Sequence, residues 1–149
     1  MIDGLEINIP MFLPHQKPML MVDSLVDISD KKVHTTFEIL PDNIFAENGV
    51  FNEAGLIENA AQTCSCIGAF AYYKAENKAI PLIGFISSIK KLDFFNLPEV
   101  GSSIQTEAEL LHFFYSGSHS LIQIACTIFQ EKKLLLQANM TLFLEKVMP

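Results

Sequence analysis

The chain has 149 residues and a formal charge of −7, with 50% of its residues hydrophobic and 18% charged. That is the length of one domain covering residues 1–149, long enough for a single sizeable core and too short for two. Its ten basic residues are all Lys, so there is neither a basic excess nor a guanidinium for phosphate or base-edge recognition, which argues against nucleic-acid binding.

The N-terminus carries Asp3 and Glu6 where a secretory signal would carry a basic region, so no leader is expected. Three prolines between Ile9 and Pro18 predict a turn or short helical stub. Apolar runs predict a first strand over Met19 to Val26 and a second over Lys32 to Leu40, with Ser29-Asp30-Lys31 as a hairpin turn. Asp42 to Phe51 reads as irregular, broken by Asn43, Asn48 and Gly49.

Asn52 stands where an N-cap belongs, ahead of a helix expected from about Glu53 to Lys74. Ile57, Ala60, Ala61, Cys64, Gly68 and Ala71 recur on it at helical spacing, and the opposite face is nearly as apolar or small. Such a helix is expected to be covered on most sides. The stretch from Ala54 to Tyr73 approaches membrane-spanning length, but Glu58, Asn59, Gln62, Thr63 and Ser65 fit a buried helix better than a membrane span.

After Asn77 the period changes to two. Ile83, Phe85, Ser87 and Ile89 predict a third strand, Ser102 to Tyr115 a fourth, Ile122 to Ile128 a fifth and Leu134 to Leu142 a sixth. Ser116-Gly117-Ser118 and Glu131-Lys132-Lys133 are the hairpin turns between the last three. The expected class is α+β, a mostly antiparallel sheet of about six strands curled around one long helix. Twelve Phe in a chain this short point to an oligomer that buries apolar surface.

Glu58 is the one charge in the twenty residues from Ala54 to Tyr73. A carboxylate in so apolar a helix is costly unless something nearby satisfies or uses it, which makes Glu58 the first functional candidate. Gln62, one turn later, can share its face. Cys64 and Cys66 are about 200° apart around a helix axis, too far around to clamp one metal or pair with each other. With Cys126 they read as buried small hydrophobes in a reducing cytoplasm, and no metal is expected. His34, His112 and His119 fall in or beside strands and read as surface or packing residues; Ser116-Gly117-Ser118-His119 has no nucleophile-elbow pattern.

Leu13-Pro14-His15-Gln16-Lys17-Pro18-Met19-Leu20-Met21-Val22-Asp23 and Gly55-Leu56-Ile57-Glu58-Asn59-Ala60-Ala61-Gln62 are similar to two motifs of one family. Lys91-Leu92-Asp93-Phe94-Phe95 with Pro98-Glu99-Val100-Gly101 adds a weaker third. Together they resemble the hotdog-fold β-hydroxyacyl dehydratases of fatty acid synthesis, which act on acyl carrier protein thioesters. One departure stands out. Those enzymes carry Gly-His-Phe-Pro before the helix, and that histidine partners the helix glutamate; here the loop reads Asn48-Gly49-Val50-Phe51-Asn52, with Val50 in its place. Loss of the loop histidine with retention of the other motifs resembles the dehydratase-like proteins of aryl polyene and flexirubin pigment clusters.

The resemblance implies a dehydratase acting on a 3-hydroxyacyl chain held on the phosphopantetheine of an acyl carrier protein, with no cofactor of its own. Such a reaction needs a base for the C2 proton, an acid for the hydroxide leaving C3, and donors for the thioester oxygen. His15 is the candidate base and Glu58 its catalytic partner; Gly55, where a thioester could approach the helix start closely, and Gln62 are the candidate substrate-binding residues. A hydrogen bond within the N-terminal turn is the structural alternative for His15, and an amide tying the helix to a loop or to the dimer partner is that for Gln62. Lys90 and Lys91 could meet the carrier, or simply be a solvated strand end. The resemblance further implies dimers with the acyl tunnel at their interface, homo-oligomeric or formed with another hotdog protein. Two alternatives remain: a hotdog thioesterase in which Glu58 activates water, and a catalytically silent subunit paired with an active relative.

Overall fold

A computed structural model describes residues 8–147. Asp3 and Glu6, on which the reading of the N-terminus rests, lie outside the described residues. The chain opens with a one-turn helix, α1 (Ile9–Phe12), and continues through β1 (Ser24–Ile28) and β2 (Lys32–Glu38). The short strands β3 (Ala46–Glu47) and β4 (Val50–Phe51) precede a long helix, α2 (Glu53–Glu76). Four long strands follow: β5 (Leu82–Phe94), β6 (Ser103–Ser116), β7 (His119–Gln130) and β8 (Lys133–Lys146).

The six longer strands form one sheet in the order β1-β2-β6-β7-β8-β5, every pair antiparallel. Three hairpins account for most of the order, and β5 reaches the far edge because α2 crosses the sheet between β4 and β5. Alternation decides which face α2 covers: Ile104, Thr106 and Ala108 on β6, Ile122, Ile124, Cys126 and Ile128 on β7, and Met140, Leu142 and Leu144 on β8 are all buried. Contact is closest at Gly68, where an added β-carbon would lie 2.1 Å from Leu144 Cδ1. Only glycine lets the helix come down this far.

Polar pairs fix the helix on the sheet. The hydroxyls of Thr35 and Thr63 are 2.7 Å apart and buried, and Thr106 Oγ1 donates to Asn59 Oδ1. The Asn52 side chain accepts from Gly55 N at 2.9 Å and starts α2; Asn77, with φ 57°, ends it. No helix among the described residues is long and apolar enough to cross a membrane.

Two expectations are corrected. The first strand begins at Ser24, not Met19. Met21 and Val22 are fully buried, but α2 amides take the place of a neighbouring strand: Met21 N–H donates to Gln62 Oε1 at 2.7 Å and Met21 O accepts from Asn59 Nδ2 at 2.7 Å. The segment before Asn52 is not wholly irregular, since β3 and β4 form a hairpin there. Its two turn residues, Asn48 and Gly49, have φ of 53° and 81°, the mirror-image turn that suits a twisted ribbon.

Candidate active site

Glu58 sits in the first two turns of α2, and its side chain is 26% exposed. It is therefore not sealed in the core. It opens into a cavity of about 250 Å³ bounded by α2, β5, β8 and the segment after α1. His15 faces it from that segment: its Nε2 lies 3.9 Å from Glu58 Oε1. Pro14 and Pro18 bracket His15 in sequence and restrict the backbone that carries it. The other ring nitrogen, Nδ1, is buried and has no hydrogen-bond partner among the described residues.

Gln62 connects these parts. Its amide nitrogen donates to Glu58 Oε1 at 2.9 Å and to Met19 O at 2.9 Å, while its oxygen accepts from Met21 N at 2.7 Å. An amide has two N–H donors, and both are engaged. Gln62 lines the cavity but has no free donor for a substrate. Its place in the site is to aim the Glu58 carboxylate and to fasten the His15 segment onto α2.

Gly55 is elsewhere. It does not line this cavity, and its N–H is already donated to Asn52. A β-carbon there would stand 2.5 Å from the Phe51 ring and 2.8 Å from Phe45 Cβ. The lack of a side chain at Gly55 thus serves packing against two phenylalanines, and the close approach expected of a thioester is made by those two side chains. Val50 pairs with Glu47 in the β3–β4 hairpin and bridges to Glu99, and it too lies off the cavity lining.

Beyond His15, Glu58 and Gln62 the cavity becomes apolar, bounded by Phe12, Ala61, Ala69, Leu142 and Leu144. Ser65 also lines it, with its hydroxyl donated back to Gln62 O at 2.8 Å. A polar end followed by an apolar run suits a molecule with a reactive head and a hydrocarbon tail. Sequence reasoning did not find the participation of Phe12, Ala69 and Leu144. Apolar residues at helix and strand spacing carry the same pattern whether they line a cavity or fill a core.

The other sequence candidates lie apart. His34 Nε2 is 2.9 Å from Gln105 Oε1, His112 stacks on Phe114 and His119 on Phe143. Neither Lys90 nor Lys91 lines the cavity; Lys91, with φ 53°, sits at an irregularity in the β5–β8 pairing. All three cysteines are free and buried. Burial pushes the Cys66 thiol up to about 12. A hydrogen bond with the Cys126 sulfur, together with burial, pushes the Cys64 thiol well up. Among the described residues no group of three or more His, Cys, Asp or Glu is placed to hold a metal ion.

Comparison with solved structures shows the hotdog fold. The dehydratase heterocomplex ApeI:P from Xenorhabdus doucetiae superposes with a TM-score of 0.78 at 17% identity, covering 93% of this chain and 91% of that one. Cj0977, a sigma28-regulated virulence protein of Campylobacter jejuni, gives 0.62 at 13% identity over 93% and 85%. A hypothetical thioesterase with coenzyme A from Streptococcus pneumoniae gives 0.56 at 13% identity over 85% and 88%. No curated protein sequence matches the chain. The ApeP-like family model, described as ApeP dehydratase, matches residues 7–148, and with nearly the whole chain matched this protein belongs to the ApeP-like dehydratase family.

Proposed function

We propose that the protein removes water from a 3-hydroxyacyl chain carried on the phosphopantetheine of an acyl carrier protein, at the site formed by His15 and Glu58. The observation that carries this reading is the placement of His15 Nε2 3.9 Å from Glu58 Oε1 at the polar end of an otherwise apolar cavity. The gap is longer than a direct hydrogen bond. The two groups can therefore flank adjacent substrate carbons instead of being tied to each other.

In the dehydration, neutral His15 takes the C2 proton on Nε2. The C2–H electron pair becomes the C2=C3 double bond as the C3–O bond breaks, and Glu58, entering protonated, gives its proton to the departing hydroxide. Water and the enoyl thioester leave. Return of the proton from His15 to Glu58 restores both groups. Gln62 holds the carboxylate throughout with the hydrogen bond at 2.9 Å, which limits the reorganisation needed at the moment of reaction. No bound cofactor takes part in this chemistry. The family's pigment-cluster branch suggests a polyene or related chain in the cytoplasm.

A second chain of the same fold is part of the proposal. β5 is an edge strand thirteen residues long, with Ile83, Phe85 and Ile86 exposed, and Gly84, Phe85 and Ile86 also border the cavity. Long apolar edges are natural sites of strand pairing. Pairing there, with a second copy or with another hotdog protein, would wall the cavity on its open side. The heterocomplex found for the ApeI:P dehydratase, together with Val50 at the expected histidine position, favours a hetero-oligomer in which this chain shapes the site of an active partner as the second reading.

The test is incubation of the pure protein with a 3-hydroxyacyl carrier-protein substrate, for wild type, Glu58→Gln and His15→Ala. Enoyl product from the wild type and its loss in both variants is the expected result. Unchanged dehydration in Glu58→Gln refutes the assignment; free acid without enoyl product means a thioesterase. Turnover that appears only on mixing with a second hotdog protein, and survives both substitutions, supports the silent-subunit reading.

A further inference from the structure

The polar end of the cavity holds His15 and Glu58; its other end is aromatic. Along α2 the lining positions Glu58, Ala61, Ser65 and Ala69 form one stripe at helical spacing. From position 58 to position 69 is eleven residues, about 16 Å of helix axis at 1.5 Å per residue. β5 returns beside this stripe, with Leu82, Gly84 and Ile86 also lining the cavity, and four residues of strand span about 13 Å. Two independent elements thus give a similar length.

The small residues stop after Ala69. One turn further stands Tyr73, whose ring meets Phe12 edge-on at 5.9 Å, and Phe12 meets Phe70 edge-on at 6.1 Å. Phe12 lines the cavity and is buried. Held by two rings in edge-to-face contact, it cannot swing aside without breaking both contacts.

We infer that Phe12, backed by Phe70 and Tyr73, is the stop that sets the longest acyl chain the cavity accepts. This rests on the reading that the chain's reacting carbons lie at His15 and Glu58. An extended chain advances at most about 3.6 Å over the three bonds of a residue, or roughly 1.2 Å per bond, so about 16 Å of cavity takes a chain of about a dozen atoms. An unbranched chain of that length reaches Phe12, and a longer one meets the ring. Phe12 is a specificity residue in this scheme and takes no part in the chemistry.

The test uses two readouts on one series of chain lengths spanning that threshold. Non-reactive alkyl thioethers of pantetheine are titrated by calorimetry, and 3-hydroxyacyl carrier-protein substrates are assayed for enoyl product. In the wild type, affinity should rise by about fourfold per added methylene up to about a dozen atoms and then level or fall. Phe12→Leu should move the break to longer chains and Phe12→Ala should move it further. Ala69→Leu, which fills the cavity from the helix side, should move it to shorter chains and weaken long-chain binding by roughly tenfold or more. Phe12→Ala removes core packing, so if it does not fold, Phe12→Leu and Ala69→Leu carry the test. A wild type with no break, or a break that stays in place in both of those variants, overturns the inference. Breaks that move without any dehydration leave Phe12 as the stop and refute the dehydratase reading; dehydration with an unmoved break does the reverse.

Discussion

Replacing Gln62 with Leu keeps most of the side-chain volume and removes three hydrogen bonds at once, to Met21 N, Met19 O and Glu58 Oε1. The consequences at the three partners differ. Met21 is fully buried, so its N–H is left without partner or water and costs about 1–3 kcal/mol. Met19 is an exposed residue, 42% accessible, and its carbonyl can return to solvent for little. Glu58, partly open to the cavity, recovers hydration as well. The added burial of apolar surface by Leu offsets a fraction of the loss, leaving about 1–2 kcal/mol against a total stability on the order of 5–15 kcal/mol. For a chain of this size that lowers Tm by roughly 3–8 °C, readable by thermal or urea unfolding. The same variant frees the segment that carries His15, so dehydration should fall through kcat more than KM, because aim and not ground-state binding is lost. A Tm within about 2 °C of wild type, with an unchanged urea slope, would refute the reasoning.

Two further outcomes follow from packing. Gly68→Ala drives a β-carbon to within 2.1 Å of Leu144 Cδ1, and relief requires α2 to lift or Leu144 to change rotamer; a loss of about 1–3 kcal/mol is expected in urea unfolding, and an equally stable variant would show that the contact is soft. Cys66 is fully buried, with its thiol pushed up to about 12 by burial alone, so iodoacetamide at mildly alkaline pH should leave it unmodified in the native protein and alkylate it in urea, as read by peptide mass mapping.

Much of the fold was visible in residue order because local signals agreed with one another. Period two in the last four strands, Asn52 before an apolar run, and Gly117 and the residues after Gln130 at the turns each called for an element that the structure contains. The disagreement at Met19 to Asp23 has a specific origin. An apolar run before a hairpin carries the same pattern whether its backbone pairs with a strand or with side-chain amides, and here Asn59 and Gln62 supply the amides. The partner was more than thirty-five residues away in sequence, beyond the reach of any local rule.

The same long-range link explains why the candidate site was half legible. Glu58 stood out by its charge, and His15 by a motif braced with prolines, yet nothing local relates positions 15 and 58. Gln62 makes the relation: one carboxamide accepts from Met21, donates to Met19 and donates to Glu58, so the loop that presents His15 and the carboxylate it faces are set by a single side chain. Its amide could be read in advance as a group that ties helix to loop, and that tie is what places the imidazole 3.9 Å from the carboxylate. Positioning by a buried, fully engaged amide also accounts for Glu58 tolerating an apolar helix. The carboxyl group is neither sealed in the core nor without a partner, since one side of it holds a hydrogen bond and the other opens on the cavity. A carboxyl group arranged in that way can meet a substrate hydroxyl without first breaking a contact that the fold depends on.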